Sequence, residues 1–231
     1  MCASHVAIDV KGLLEFYDAR PDSSRGHATA ITQVAGEELG LALLRRYFQE
    51  TGKPARIRDE ACKAPGRSGS RLDAWLDVGL GSERTLYQVE VKNWSAHSLD
   101  GYPIALSATA AEIQEYKIEA WKEYWDGEAF IQPQLQKVLR PVPPPEKGAR
   151  VEPLACLWDL VHPRGELEPM FRVALGSRPF PHMTVFSMSS YLRSLRRSRI
   201  TLQMPHTVAR LFWLQRLFVV QDRAQERKSN R

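Results

Sequence analysis

Residues 71–78 and 86–94 are apolar-rich runs in which the polar residues fall mostly at every second position. Successive side chains of an extended chain point to opposite faces, so this alternation predicts two β-strands. The short polar link at residues 79–85 predicts that they are antiparallel neighbours. In the second strand Val89 and Val91 share one face, and Glu90 and Lys92 share the other. In the first strand Asp73, Trp75 and Asp77 lie on one side, which brings a further carboxylate toward Glu90 when the strands pair. Leu72, Trp75, Leu76 and Val78, with Leu86, Val89, Val91 and Trp94, predict strands partly buried on both faces. Charges in that setting need partners or a metal ion.

The helical period appears upstream. Ala30, Val34, Glu37, Leu41, Leu44 and Phe48 recur at spacings of three and four, and Gly52 and Pro54 stop the pattern, so residues 28–50 are expected to be a helix. Glu37 lies within the apolar stripe, whereas Glu38 is about 100° round the helix and is expected to reach water more readily. Residues 6–19 read as a short helix followed by a loop at 20–26, and residues 55–62 as a strand. The basic, glycine-rich loop 63–71 then leads into Asp73. Beyond a loop at 95–103, residues 107–125 read as a helix, with Gln114 and Lys117 on roughly one face. Residues 153–161 and 183–188 read as strands, and residues 208–220 as an amphipathic helix suited to core packing or a dimer contact.

These elements predict an α/β chain, with a central mixed sheet flanked by helices and a helical elaboration at the C-terminal end. Expected boundaries are an N-terminal helix and loop at 1–27, a core at 28–140, a proline-rich linker or loop at 141–150, and a section at 151–231. That last section completes the sheet and carries basic and amphipathic helices within the same domain.

Composition narrows the functional classes. The chain has 231 residues, 43% of them hydrophobic, enough for one domain of ordinary size. No long uncharged apolar run occurs, and the three cysteines are far apart, so a cytoplasmic protein without a membrane partner is expected. His162, His182 and His206 lack metal-ligand spacing, which argues against a zinc site. A formal charge of +5 favours an anionic partner. Arg193, Arg196 and Arg197 are spaced to share one side of a helix and form a candidate phosphate-binding patch; Arg67 and Arg71 are candidates in the loop before Asp73.

Two acidic residues on neighbouring strands suit Mg²⁺, a hard cation that keeps positions for water and phosphate. A lysine beside them suits activation of water or neutralisation of charge on phosphorus. The pattern of Asp73, a gap, then Glu90-Val91-Lys92 in a strand resembles the PD-(D/E)XK nucleases, the restriction-endonuclease-like superfamily. Leu72 stands where the motif's name has proline, and the resemblance covers roughly residues 28 to 125. It implies a restriction-endonuclease-like core and a metal-dependent nuclease hydrolysing phosphodiester bonds in DNA. Asp73, Glu90 and Glu37 would hold Mg²⁺ or Mn²⁺, and Lys92 would serve catalysis. Glu38 and Asp77 are alternatives for the metal role, and Gln114 and Lys117 are accessory candidates on the following helix. The competing readings are a nucleic-acid-binding module without turnover and an assembly subunit of the same fold.

Overall fold

The structure, a computed structural model of the chain, describes residues 5–18, 25–58, 72–92, 138–158, 168–175 and 179–205. Twelve elements follow in order, counting one 3₁₀ turn. They are β1 (His5–Asp9), α1 (Val10–Asp18), α2 (Arg25–Glu50), β2 (Ala55–Arg58), β3 (Ala74–Val78), the 3₁₀ turn Gly81–Glu83, β4 (Thr85–Lys92), β5 (Val151–Leu157), β6 (Met170–Ala174), β7 (His182–Ser187), α3 (Met188–Ser194) and β8 (Arg199–Gln203). Among the described residues no helix is long and apolar enough to cross a membrane.

The centre is a six-stranded mixed sheet in the order β2-β3-β4-β5-β7-β6. β2, β3 and β4 form an antiparallel meander. β5 then joins β4 in parallel, β7 joins β5 in parallel, and β6 closes the far edge antiparallel to β7. The expected mixed sheet flanked by helices is thus present, and its strands come from both sides of the proline-rich segment.

The hairpin of β3 and β4 turns where glycine allows it. Gly79 has φ 86°, and a Cβ there would sit 2.9 Å from the Glu83 carbonyl oxygen. Arg84 closes the turn by gripping Asp77 with both arms, Nε to Oδ1 at 2.7 Å and an Nη to Oδ2 at 2.6 Å. Arg84 also reaches Glu146 at 2.6 Å, as does Arg58 of β2 at 2.6 Å. The hydrogen bonds from Arg84 and Arg58 hold the Glu146 carboxyl down to about 2. What this half-buried cluster contributes is therefore present above the ordinary carboxylate range and fades only as pH falls toward that value. The segment expected to be a linker thus lies against the sheet. Val142 is buried with Leu72, Trp75 and Leu86. The fully buried Gln88 amide donates to the Val138 and Arg140 carbonyls and accepts from Val142 N–H at 3.3 Å.

α2 ends on a glycine cap. Gly52 has φ 77°, its N–H donates to the Gln49 carbonyl at 3.1 Å, and Lys53 N–H donates to the Phe48 carbonyl at 2.9 Å. The helix lies over the face of β4 that bears Tyr87, Val89 and Val91, with Leu41, Leu44 and Phe48 in the same apolar cluster. Phe48 stacks on Tyr87 at 5.8 Å, and Gly40 sits over Val91. α2 therefore runs antiparallel to β4.

Residues 6–19 are not one helix. Residues 5–9 pair with β8 in a separate two-stranded sheet, and α1 starts only where the Asp9 carboxylate accepts the Gly12 N–H at 3.0 Å. Likewise α3 ends at Leu195, which is extended at φ −77° and ψ 126°. The helix expected to carry Arg193, Arg196 and Arg197 on one side therefore stops after Ser194, because residues 199–203 are taken up by pairing with β1.

A Cβ on Gly40 would lie 2.7 Å from Val91 Cγ1 and 3.3 Å from Met188 Sδ, both buried. Gly40→Ala should therefore lower unfolding stability by about 1–3 kcal/mol, an overpacking effect that outweighs the better helix propensity of alanine. Urea unfolding of the two proteins measures it; an unchanged or raised midpoint would mean α2 can lift from β4 at no cost.

Candidate active site

β4 is buried from Thr85 to Val91, and only Lys92 at its end is half-buried. Val89 and Val91 face α2, so by alternation Gln88, Glu90 and Lys92 occupy the other face. Glu90 is 1% exposed, and its Oε1 accepts from Lys92 Nζ at 2.6 Å. The predicted pairing of a carboxylate and an ammonium two residues apart is therefore a buried ion pair, not a loose couple on a solvent face. A carboxylate so far from water requires such a partner.

Asp73 arrives beside it from the chain preceding β3. Its N–H donates to the Val89 carbonyl at 3.1 Å, and its Oδ2 accepts the Val91 N–H at 2.7 Å. The carboxylate thus takes a ladder position on β4 directly after Glu90. Its charge reaches the Cys156 thiol, which burial first and Asp73 second push far above the ordinary thiol range. Such a thiol is a packing group, not a nucleophile. Asp77 is committed elsewhere, to the Arg84 fork, whereas Asp73 is bonded to the backbone of β4 beside Glu90.

The carboxylates of α2 are disposed otherwise than the stripe implied. Glu38 is 7% exposed and Glu37 only half-buried, the reverse of the expected order. The reason is that α2 is covered nearly all round at this level: every residue from Glu38 to Leu44 is buried. No single stripe then fixes which side chain faces solvent. Among the described residues no three Asp, Glu, His or Cys side chains come together closely enough to hold a metal ion. Glu37 is accordingly not assembled with Asp73 and Glu90 into one donor set.

Two carboxylates are donors of the kind Mg²⁺ takes, since it is commonly bound through one or two carboxylates with water and substrate phosphate completing the shell. They would not satisfy an ion that demands an all-protein cage. Lys92, with 22% of its side chain exposed, can present its ammonium to a molecule at the end of the strand.

Arg196, Arg197 and Arg199 are exposed and Arg193 half-buried, so the arginines form a basic strip along the connection from α3 to β8. Arg67, Arg71, Gln114 and Lys117 lie outside the described residues. Gln88 was not singled out by the sequence, although its parity with Glu90 and Lys92 marks it: it fixes residues 138–142 on the same face of β4. No protein-family model matches the chain, and no curated protein or solved structure matches it either.

The burial order of the two glutamates has a measurable consequence. Glu38→Ala should cost about 1–3 kcal/mol by removing a buried hydrogen-bonding group, whereas Glu37→Ala should cost about 0.5 kcal/mol or less. Denaturant unfolding of both variants checks the order; a larger loss for Glu37→Ala would return the helix to the phase of the sequence stripe.

Proposed function

We propose that the chain is a metal-dependent nuclease that hydrolyses phosphodiester bonds in DNA, with a site built from Asp73, Glu90 and Lys92. The observation that carries the reading is the buried Glu90–Lys92 pair at 2.6 Å, with the Asp73 carboxylate docked on the next backbone N–H. A helix, an antiparallel meander and then a parallel strand, among the described residues, support this reading of the resemblance. Mg²⁺ or Mn²⁺, held by Asp73 and Glu90, would supply charge against the scissile phosphate and a more acidic bound water.

The chain's own residues do the rest. Backbone bonding fixes the Asp73 carboxylate, whose Oδ2 accepts the Val91 N–H. Glu90 is held in place by the walls of β4 and by Lys92. Lys92 orients the attacking water and offsets negative charge as it grows on the phosphate. Glu37 receives no ligand role in this reading, since no third carboxylate joins the pair among the described residues. The exposed Arg196, Arg197 and Arg199 favour a polyanionic partner and support a second reading, a nucleic-acid-binding module without turnover.

Incubation of end-labelled single- and double-stranded DNA with the protein in Mg²⁺, in Mn²⁺ and in EDTA separates the two readings. Cleavage is expected with either cation and none in EDTA, with Glu90→Gln slower by at least about a hundredfold because a charge that would stabilise the transition state is lost at nearly constant volume. Binding without cleavage by the wild type would favour the second reading. Cleavage by Glu90→Gln at the wild-type rate would remove the site from Glu90.

A further inference from the structure

The ribbon of β1 and β8 has two edges of different character. β1 pairs with β8 so that His5 faces Gln203, Ala7 faces Thr201 and Asp9 faces Arg199. Beyond the last pair, Val10 N–H donates to the Ser198 carbonyl at 2.9 Å, which sets the hydrogen-bonding parity of the ladder. By that parity Val6 and Ile8 bond to β8, whereas the backbone groups of His5, Ala7 and Asp9 on one strand, and of Arg199, Thr201 and Gln203 on the other, point outward. On the β8 side two of the outward carbonyls are taken up: Arg46 donates to Thr201 at 3.0 Å and Arg45 donates to Gln203. The guanidinium groups of α2 therefore guard that edge at Thr201 and Gln203.

The β1 edge is treated differently. Among the described residues no strand pairs with it, the sheet having two strands only. Open edges of soluble proteins are normally blunted by charge, proline or brevity. The edges of the main sheet follow that rule, since β2 has four residues including Arg56 and Arg58, and β6 carries Arg172. β1 has neither lysine, arginine nor proline, its one carboxylate, Asp9, lies at its very end, and its Val6 is 40% exposed.

We propose that the outer edge of β1 is a self-association surface on which a second copy of this chain pairs its own β1 antiparallel, centred on Ala7. The sequence His5-Val6-Ala7-Ile8-Asp9 is complementary to itself in that register. On one face His5 meets Asp9 of the second copy, Ala7 meets Ala7, and Asp9 meets His5. On the other face Val6 meets Ile8 and Ile8 meets Val6. The first set are the residues whose backbone groups point outward, so they form the hydrogen-bonded pairs of the new ladder. Basic-acidic and β-branched apolar pairs are the cross-strand combinations that stabilise antiparallel strands, and a twofold contact needs this reciprocity. A two-strand ribbon becomes a four-stranded sheet, two strands from each copy, which is the size at which such sheets stand without further support. A short strand buries little area, so the pairing is a weak, concentration-dependent one. It is independent of the nuclease reading.

The test is sedimentation equilibrium of the full chain from low micromolar to several hundred micromolar. The wild type should move from the monomer mass of 26.3 kDa toward twice that value. Ala7→Pro removes an outward N–H that β8 does not use and should abolish association while leaving the circular dichroism of the monomer unchanged. His5→Glu places like charges across both outer pairs and should weaken association roughly tenfold; it carries the test where Ala7→Pro does not fold. A wild type that stays monomeric throughout, or variants that associate as the wild type does, would overturn the proposal.

Discussion

A carboxylate that is 1% exposed in the middle strand of a sheet is the constraint on which this structure turns. Water can no longer solvate Glu90, and a carboxylate so buried requires partners within the protein. Lys92, two residues along on the same face, supplies the compensating charge at 2.6 Å. Such a pair does not by itself stabilise a protein more than well-packed hydrocarbon would. Its geometry then depends on everything that keeps β4 straight and dry. Gly40 lets α2 lie close on Val91, Gln88 pins residues 138–142 to the opposite face, and Trp158 N–H continues the parallel ladder onto the Lys92 carbonyl at 3.1 Å.

The peripheral ties serve that same strand. The Arg84 fork on Asp77 holds the β3–β4 turn, and through Glu146 it joins the turn to β2 and to the segment leading into β5. At the other end of α2, Arg46 binds Glu50 and the Thr201 carbonyl, and Tyr191 donates to Glu50 at 2.5 Å. α2 is thus secured to the sheet beneath it and to the ribbon of β1 and β8 beside it.

The parts legible in the sequence are those written by local rules. The hairpin of β3 and β4 follows from period two around a short link, and α2 from its stripe and the stop at Gly52 and Pro54. β1 and β8 were missed because they pair across nearly the whole chain, and residues 5–9 carry no alternation strong enough to outweigh a helical reading. The arginines of residues 193–199 have helical spacing, yet β-pairing at Arg199–Gln203 decides their conformation. In α2 the phase failed at Glu37 and Glu38 because burial on nearly every side leaves no polar face to read. Asp73 and Asp77 share a face by parity, and their contacts distinguish them: Asp77 is held by Arg84, Asp73 by the backbone of β4.

Glu90, Lys92 and Asp73 were named from residue type and spacing, and their contacts give that choice a physical basis: one carboxylate is buried and paired, and the other is fixed to backbone. The most direct test of the cation site is anomalous diffraction from crystals soaked in Mn²⁺ with a short DNA duplex. If Asp73 and Glu90 hold the ion, a peak should lie about 2.1–2.2 Å from an oxygen of each, within reach of Lys92 through one water. A peak on other residues, or none beside these two carboxylates while the duplex is bound, would contradict it.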